Sequence, residues 1–130
     1  MIDFEIFIVL YGLGIIADFI LIKYVLGEEY MKVYLSGAIT SDPNHKTKFE
    51  AAKRKYEQKG YEVLSPIETP EYKAKKGNST CLFASIKLLE KADWLIQLDN
   101  PEQSKGMQIE QQIADYCNIM ILREYEEEKK

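Results

Sequence analysis

The chain has 130 residues, of which 46 % are hydrophobic and 29 % charged, enough for one domain with a real core and too few for two. The net charge of −4 is concentrated at one end: Asp3, Glu5, Asp18, Glu28 and Glu29 face only Lys23 in residues 1–30, so residues 31–130 are neutral overall. A neutral domain removes the electrostatic case for binding long nucleic acid. With one histidine, His45, and two cysteines, Cys81 and Cys117, outside any CxxC spacing, a metal site is not expected and reduced thiols in the cytoplasm are.

In chain order, the first element is IFIVLYGLGIIADFILIKYVLG, Ile6 to Gly27. It is apolar all round and long enough to span a bilayer as a helix. Asp18 near its middle would cost about 3 kcal/mol in lipid and call for a partner. No basic region or small-residue cleavage site marks a signal peptide. Residues 1–30 therefore stand as a segment of their own with three readings. They are a membrane-associated helix, an apolar helix packed on another subunit, or an upstream extension before a start at Met31.

From Met31 the pattern alternates between strand and helix. KVYLSG (residues 32–37) predicts a strand. Residues 44–60 predict a helix with Phe49, Ala52 and Tyr56 on one face and Gly60 at its C-terminal stop. YEVLSP (61–66) is a second strand, 67–80 a polar loop, and 81–92 a helix with Leu82, Ile86 and Leu89 inward. DWLIQL (93–98) is a third strand, Ser104 to about Tyr116 a third helix, and NIMIL (118–122) a fourth strand. The tail REYEEEKK reads as a solvated helix end. The expected fold is α/β: a flavodoxin-like or Rossmann-like parallel sheet of four to five strands with helices on both faces, plus the apolar N-terminal helix.

Such sheets bind ligands at the carboxyl ends of their strands. Three loops meet there: SGAITSDPN, SPIETPEYKAKKGNST and DNPEQSKG. Ser104, Lys105 and Gly106 precede a helix, whose free N–H groups and dipole suit an anion. Ser104 either caps that helix or gives its hydroxyl to a phosphate. Gly37 and Ala38 are small, and their N–H groups could face the same anion. One turn into the helix, Glu110 falls beside Met107, Ile113 and Ala114, too deep to be a cap. A carboxylate at that buried boundary is a structural hydrogen-bonder or an active group with a raised pKa.

YLSGAI, KADWLIQLD and SKGMQIEQQIA, in this order and spacing, resemble the nucleoside 2-deoxyribosyltransferase-like superfamily. The nearest members are small phage-type proteins and the 2′-deoxynucleoside 5′-monophosphate N-glycosidases. The resemblance spans Met31 to about Leu122. It implies that Glu110 is the nucleophile at C1′ of the sugar and that Tyr34 orients it. It also implies that Ser36, Gly37, Ala38, Ile39, Ser104 and Gly106 hold the substrate and its 5′-phosphate. Relatives acting on free nucleosides carry Asp at the position of Ser104, and the monophosphate hydrolases carry Ser. Relatives also carry an Asp for proton transfer where this chain has Ser85, and a basic residue where it has Thr40. Asp42, His45, Glu68 and Glu71 are the loop residues available to replace that acid.

The expected activity is N-glycosidase or deoxyribosyltransferase action on a (deoxy)nucleoside 5′-monophosphate, without metal or organic cofactor. The competing expectation is a nucleotide-binding module without turnover. The expected partners are a small-molecule nucleotide or nucleoside and a second copy of the chain, in a homodimer or larger assembly. A membrane is a further partner if residues 1–30 engage one.

Overall fold

Near-continuous burial of two short strands, over residues 33–36 and 95–97, fixes the centre of the sheet. The computed structural model describes residues 30–127; the expected N-terminal helix lies outside them. Strand β1 (Lys32–Ser36) sends Val33 and Leu35 to one face and Tyr34 and Ser36 to the other, as the two-residue period of a strand requires. Beside it run β2 (Glu62–Leu64) and β3 (Trp94–Gln97), and β4 (Met120–Arg123) flanks β3. All pairings are parallel and the order is β2-β1-β3-β4. The sheet has four strands, the lower of the expected numbers.

Parallel strands need crossovers, and the crossovers cover both faces. Helix α1 (His45–Gln58) buries Phe49, Ala52 and Tyr56, the three residues expected from the sequence, against Val33, Leu35, Ile96 and Leu98. It stops at Gly60, which takes the left-handed φ of +94° that suits glycine there. The opposite face carries α3 (Asn78–Leu89) and α4 (Lys105–Tyr116), with Leu89 and Ala114 packed on Tyr34 and Leu95.

Three local expectations are corrected. Residues 67–80 are not a plain loop: a 3₁₀ turn (Pro66–Glu68) and a short helix α2 (Pro70–Lys73) occupy part of them, each with proline in its first turn. Helix α3 starts at Asn78, three residues before the expected Cys81. Its fully buried residues are Ser85 and Leu89, with Leu82 and Ile86 half-buried. The tail begins as a short helix α5 (Glu124–Glu127), and Glu124 is not simply solvated. Its carboxylate accepts from the Tyr56 hydroxyl and lies 3.4 Å from the Lys55 ammonium. Among the described residues no helix is long and apolar enough to cross a membrane, and Cys81 and Cys117 are free thiols.

Candidate active site

The strand order reverses between β1 and β3. A crevice therefore opens at their carboxyl ends, where the connections leave toward opposite faces. Ser36 ends β1 and Gln97 ends β3, and the two are register partners. They share the face that carries α4. Ser104 starts that helix from the 3₁₀ turn Pro101–Gln103. Its Oγ accepts from the Met107 N–H at 3.3 Å, so it is the N-cap. The cap leaves the hydroxyl proton free to donate. It also leaves the N–H groups of Lys105 and Gly106 ahead of the helical ladder. A Cβ on Gly106 would meet only the Ser104 Oγ, at an ordinary 3.6 Å.

Glu110 lies where the helix wheel places it, between buried Met107 and Ala114, and is 6 % exposed. The Ser36 hydroxyl donates to its Oε1 at a long 3.5 Å, and its Oε2 has no partner. Burial pushes the carboxyl up to about 7 from an ordinary value of 4.5. The Tyr34 and Ser36 hydroxyls beside it pull the other way. Tyr34 is completely buried on the same face, and its hydroxyl makes no hydrogen bond of normal geometry. Burial first, then the charge of Glu110, hold that phenol far above its ordinary range, while Ser85 opposes. Ser85, 8 % exposed, thus faces the tyrosine that faces the carboxylate. Glu110, Tyr34, Ser36 and Ser85 form one buried cluster.

The SGAI loop is arranged differently from the expected cradle. Ser36 is turned to Glu110 rather than to an anion. The Ala38 N–H is already given to the Asp99 carboxylate at 2.9 Å. Lys48 from α1 completes a clamp: its ammonium donates to Asp99, to the Ala38 carbonyl at 3.1 Å and to Asp42 at 2.7 Å. Gly37 suits this close packing. A Cβ there would lie 3.1 Å from the Phe49 ring and 3.2 Å from Asp99. Ile39 remains half-buried at the loop, and Ser41 donates to the Gln103 carbonyl at 3.3 Å, joining the first and third loops.

Three of the four loop residues available to replace the missing acid are engaged elsewhere. Asp42 is held below its ordinary pKa by Lys48 and then by the Asn44 N–H. Glu68 pairs with Lys53 at 2.5 Å. The His45 ring sits between the Asp42 carbonyl at 2.9 Å and the Tyr72 hydroxyl at 2.7 Å. Among the described residues no three His, Cys, Asp or Glu side chains converge as metal ligands would.

Two features escaped the sequence reading. One is the clamp of Lys48 and Asp99, which nothing in local spacing marks. The other is Gln97, completely buried, donating through Nε2 to Gln111 Oε1 at 2.7 Å and leaving its own Oε1 unpartnered. Its signal was an amide inside the apolar run WLIQL, in a strand whose both neighbours are strands.

No curated protein matches the sequence. Residues 31–123, from the first strand to the end of the last, match the model of a family described as a domain of unknown function, DUF4406, and the chain belongs to that family.

Proposed function

We propose that this protein cleaves or transfers the N-glycosidic bond of a (deoxy)nucleoside 5′-monophosphate through Glu110. The observation that carries the reading is the buried carboxylate with one oxygen unpartnered at the carboxyl ends of β1 and β3. An ionised carboxylate so poorly solvated is a competent nucleophile. Its oxygen bonds to C1′ as the C1′–N bond breaks. The base leaves with the bonding pair and takes a proton from solvent. Water, or a second base, then attacks C1′, the ester to Glu110 breaks, and the attacking group's proton returns to solvent. The strand order, that of a flavodoxin-like sheet short of its last strand, supports a ligand at this place.

The Ser104 hydroxyl and the first-turn N–H groups of Lys105 and Gly106 would take the phosphate, with Gly37 and Ile39 lining the opposite loop. Tyr34 and Ser36 would hold the carboxylate in line with C1′. The protein would work in the cytoplasm without metal or cofactor. It would work as a homodimer or larger assembly, in which the exposed Phe83 and Tyr116 are candidates for cover.

A second reading, a nucleotide-binding module without turnover, is favoured by Ser85. A hydroxyl beside Tyr34 cannot serve as a general acid near neutral pH. Chromatography of free base after incubation with a panel of nucleoside monophosphates separates the two. Base release that falls on the order of 10³-fold or more in Glu110→Gln supports the glycosidase. Ligand-raised melting temperature without release supports the binding module.

A further inference from the structure

We infer that Gln97 reads the 2′-hydroxyl of the sugar, so that the preferred substrate is a ribonucleotide rather than a 2′-deoxyribonucleotide. The inference rests on the reading of Glu110 as the nucleophile. A carboxylate displacing a β-linked base attacks C1′ from the α face, and the 2′-hydroxyl of ribose projects from that same face. The protein group beside the nucleophile on the sugar side is therefore the one that meets position 2′.

Gln97 is that group. It is the register partner of Ser36, whose hydroxyl donates to Glu110, and neighbouring strands lie about 4.8 Å apart. Both side chains stand on the α4 face. Gln97 is also tied to Gln111, the residue after Glu110, at 2.7 Å. That bond fixes the amide and leaves Oε1 buried without a donor.

A fully buried orphan acceptor is rare because leaving it unmade is costly. Glu110 Oε2 is a further buried acceptor without a partner, on the helix that carries Gln111. What Gln97 Oε1 lacks is a donor, and a 2′-hydroxyl is one. Because a hydroxyl both donates and accepts, it satisfies either orientation of the Gln97 amide. A deoxy sugar would place a C–H group there and leave the amide unpaired. Sites built to bond a hydroxyl reject the analogue lacking it more strongly than apolar pockets reject an extra one.

The test uses the full chain with matched ribo- and 2′-deoxyribonucleoside 5′-monophosphates. In the wild type, kcat/KM for base release is expected to favour ribose on the order of 100-fold. In Gln97→Met, which keeps the volume and removes the amide, the two sugars should come within about fivefold of each other. Ligand-raised melting temperature provides a readout without turnover: ribonucleotides should raise it more than deoxynucleotides, and Gln97→Met should equalise them. Equal or better use of deoxynucleotides by the wild type would overturn the inference and leave the Glu110 reading intact. So would discrimination that survives in Gln97→Met. Ribose-selective binding with no base release would refute the nucleophile and support the Gln97 contact. Neither binding nor release of either series would overturn both.

Discussion

Replacing Glu110 by Gln should make the protein more stable above neutral pH while removing its proposed chemistry. The carboxyl titrates near 7 in the folded chain against an ordinary 4.5, with burial the leading cause. Between those values the unfolded chain has released its proton and the folded chain has kept it, so stability falls as pH rises. Above about 7 the folded protein carries the full cost of an ionised, poorly solvated carboxylate. At about 1.4 kcal/mol per pKa unit, a shift of this size is worth about 3 kcal/mol. Glutamine has the same shape, can still accept from Ser36, and never ionises. Denaturant titrations of wild type and Glu110→Gln at pH 5 and pH 8 measure the difference, with equal slopes showing that the same surface unfolds. The variant should gain about 3 kcal/mol at pH 8 and less than about 1 kcal/mol at pH 5. A variant no more stable at pH 8, or a gain independent of pH, would refute the account of Glu110 as a raised, unpaired acid. A stabilised but inactive variant would mark the site as one where function opposes stability.

The same titration should govern turnover: base release should rise with pH through about 7 with a slope of one, as the nucleophile ionises. In Tyr34→Phe that inflection should move upward, because the phenol hydroxyl favours the ionised carboxylate; an unmoved pH profile would show that the two do not interact. Gly37→Ala should destabilise by roughly 1–3 kcal/mol, because its methyl would crowd the Phe49 ring and Asp99; thermal melts that match the wild type would mean that the loop yields. Ser104→Ala should lose about 1 kcal/mol from the missing helix cap. On the proposed reading it should also raise KM for a monophosphate more than for the free nucleoside, and equal changes for both would assign Ser104 to capping alone.

The sheet and α1 were legible because their signals are local. The 3,4 spacing of Phe49, Ala52 and Tyr56 survives any tertiary context that offers one apolar face, and Gly60 marks its own stop. The start of α3 was not legible. Asn78, Ser79 and Thr80 are turn-prone side chains that read as loop, yet they form the exposed first turn of the helix, before its packed part begins. The face of that helix is also rotated from the expected one, because Ser85 and Leu89, four apart, are the pair turned inward while Leu82 is half-buried. At the site, Glu110 declared itself through its wheel neighbours Met107 and Ala114. Gln97 and the clamp of Lys48 and Asp99 did not, because their partners lie 14 and 51 residues away. Pairings of that range are created by the topology and leave no trace in spacing.

The clamp has a consequence for how a ligand meets the first loop. Lys48 and Asp99 join α1, the end of β3 and the backbone at Ala38, and Ser41 adds a tie to Gln103. The conformational entropy of those segments is surrendered when the chain folds rather than when a ligand arrives. This rim of the crevice is thus preorganised, and a small molecule entering it meets a fixed wall instead of a segment it must first set in order.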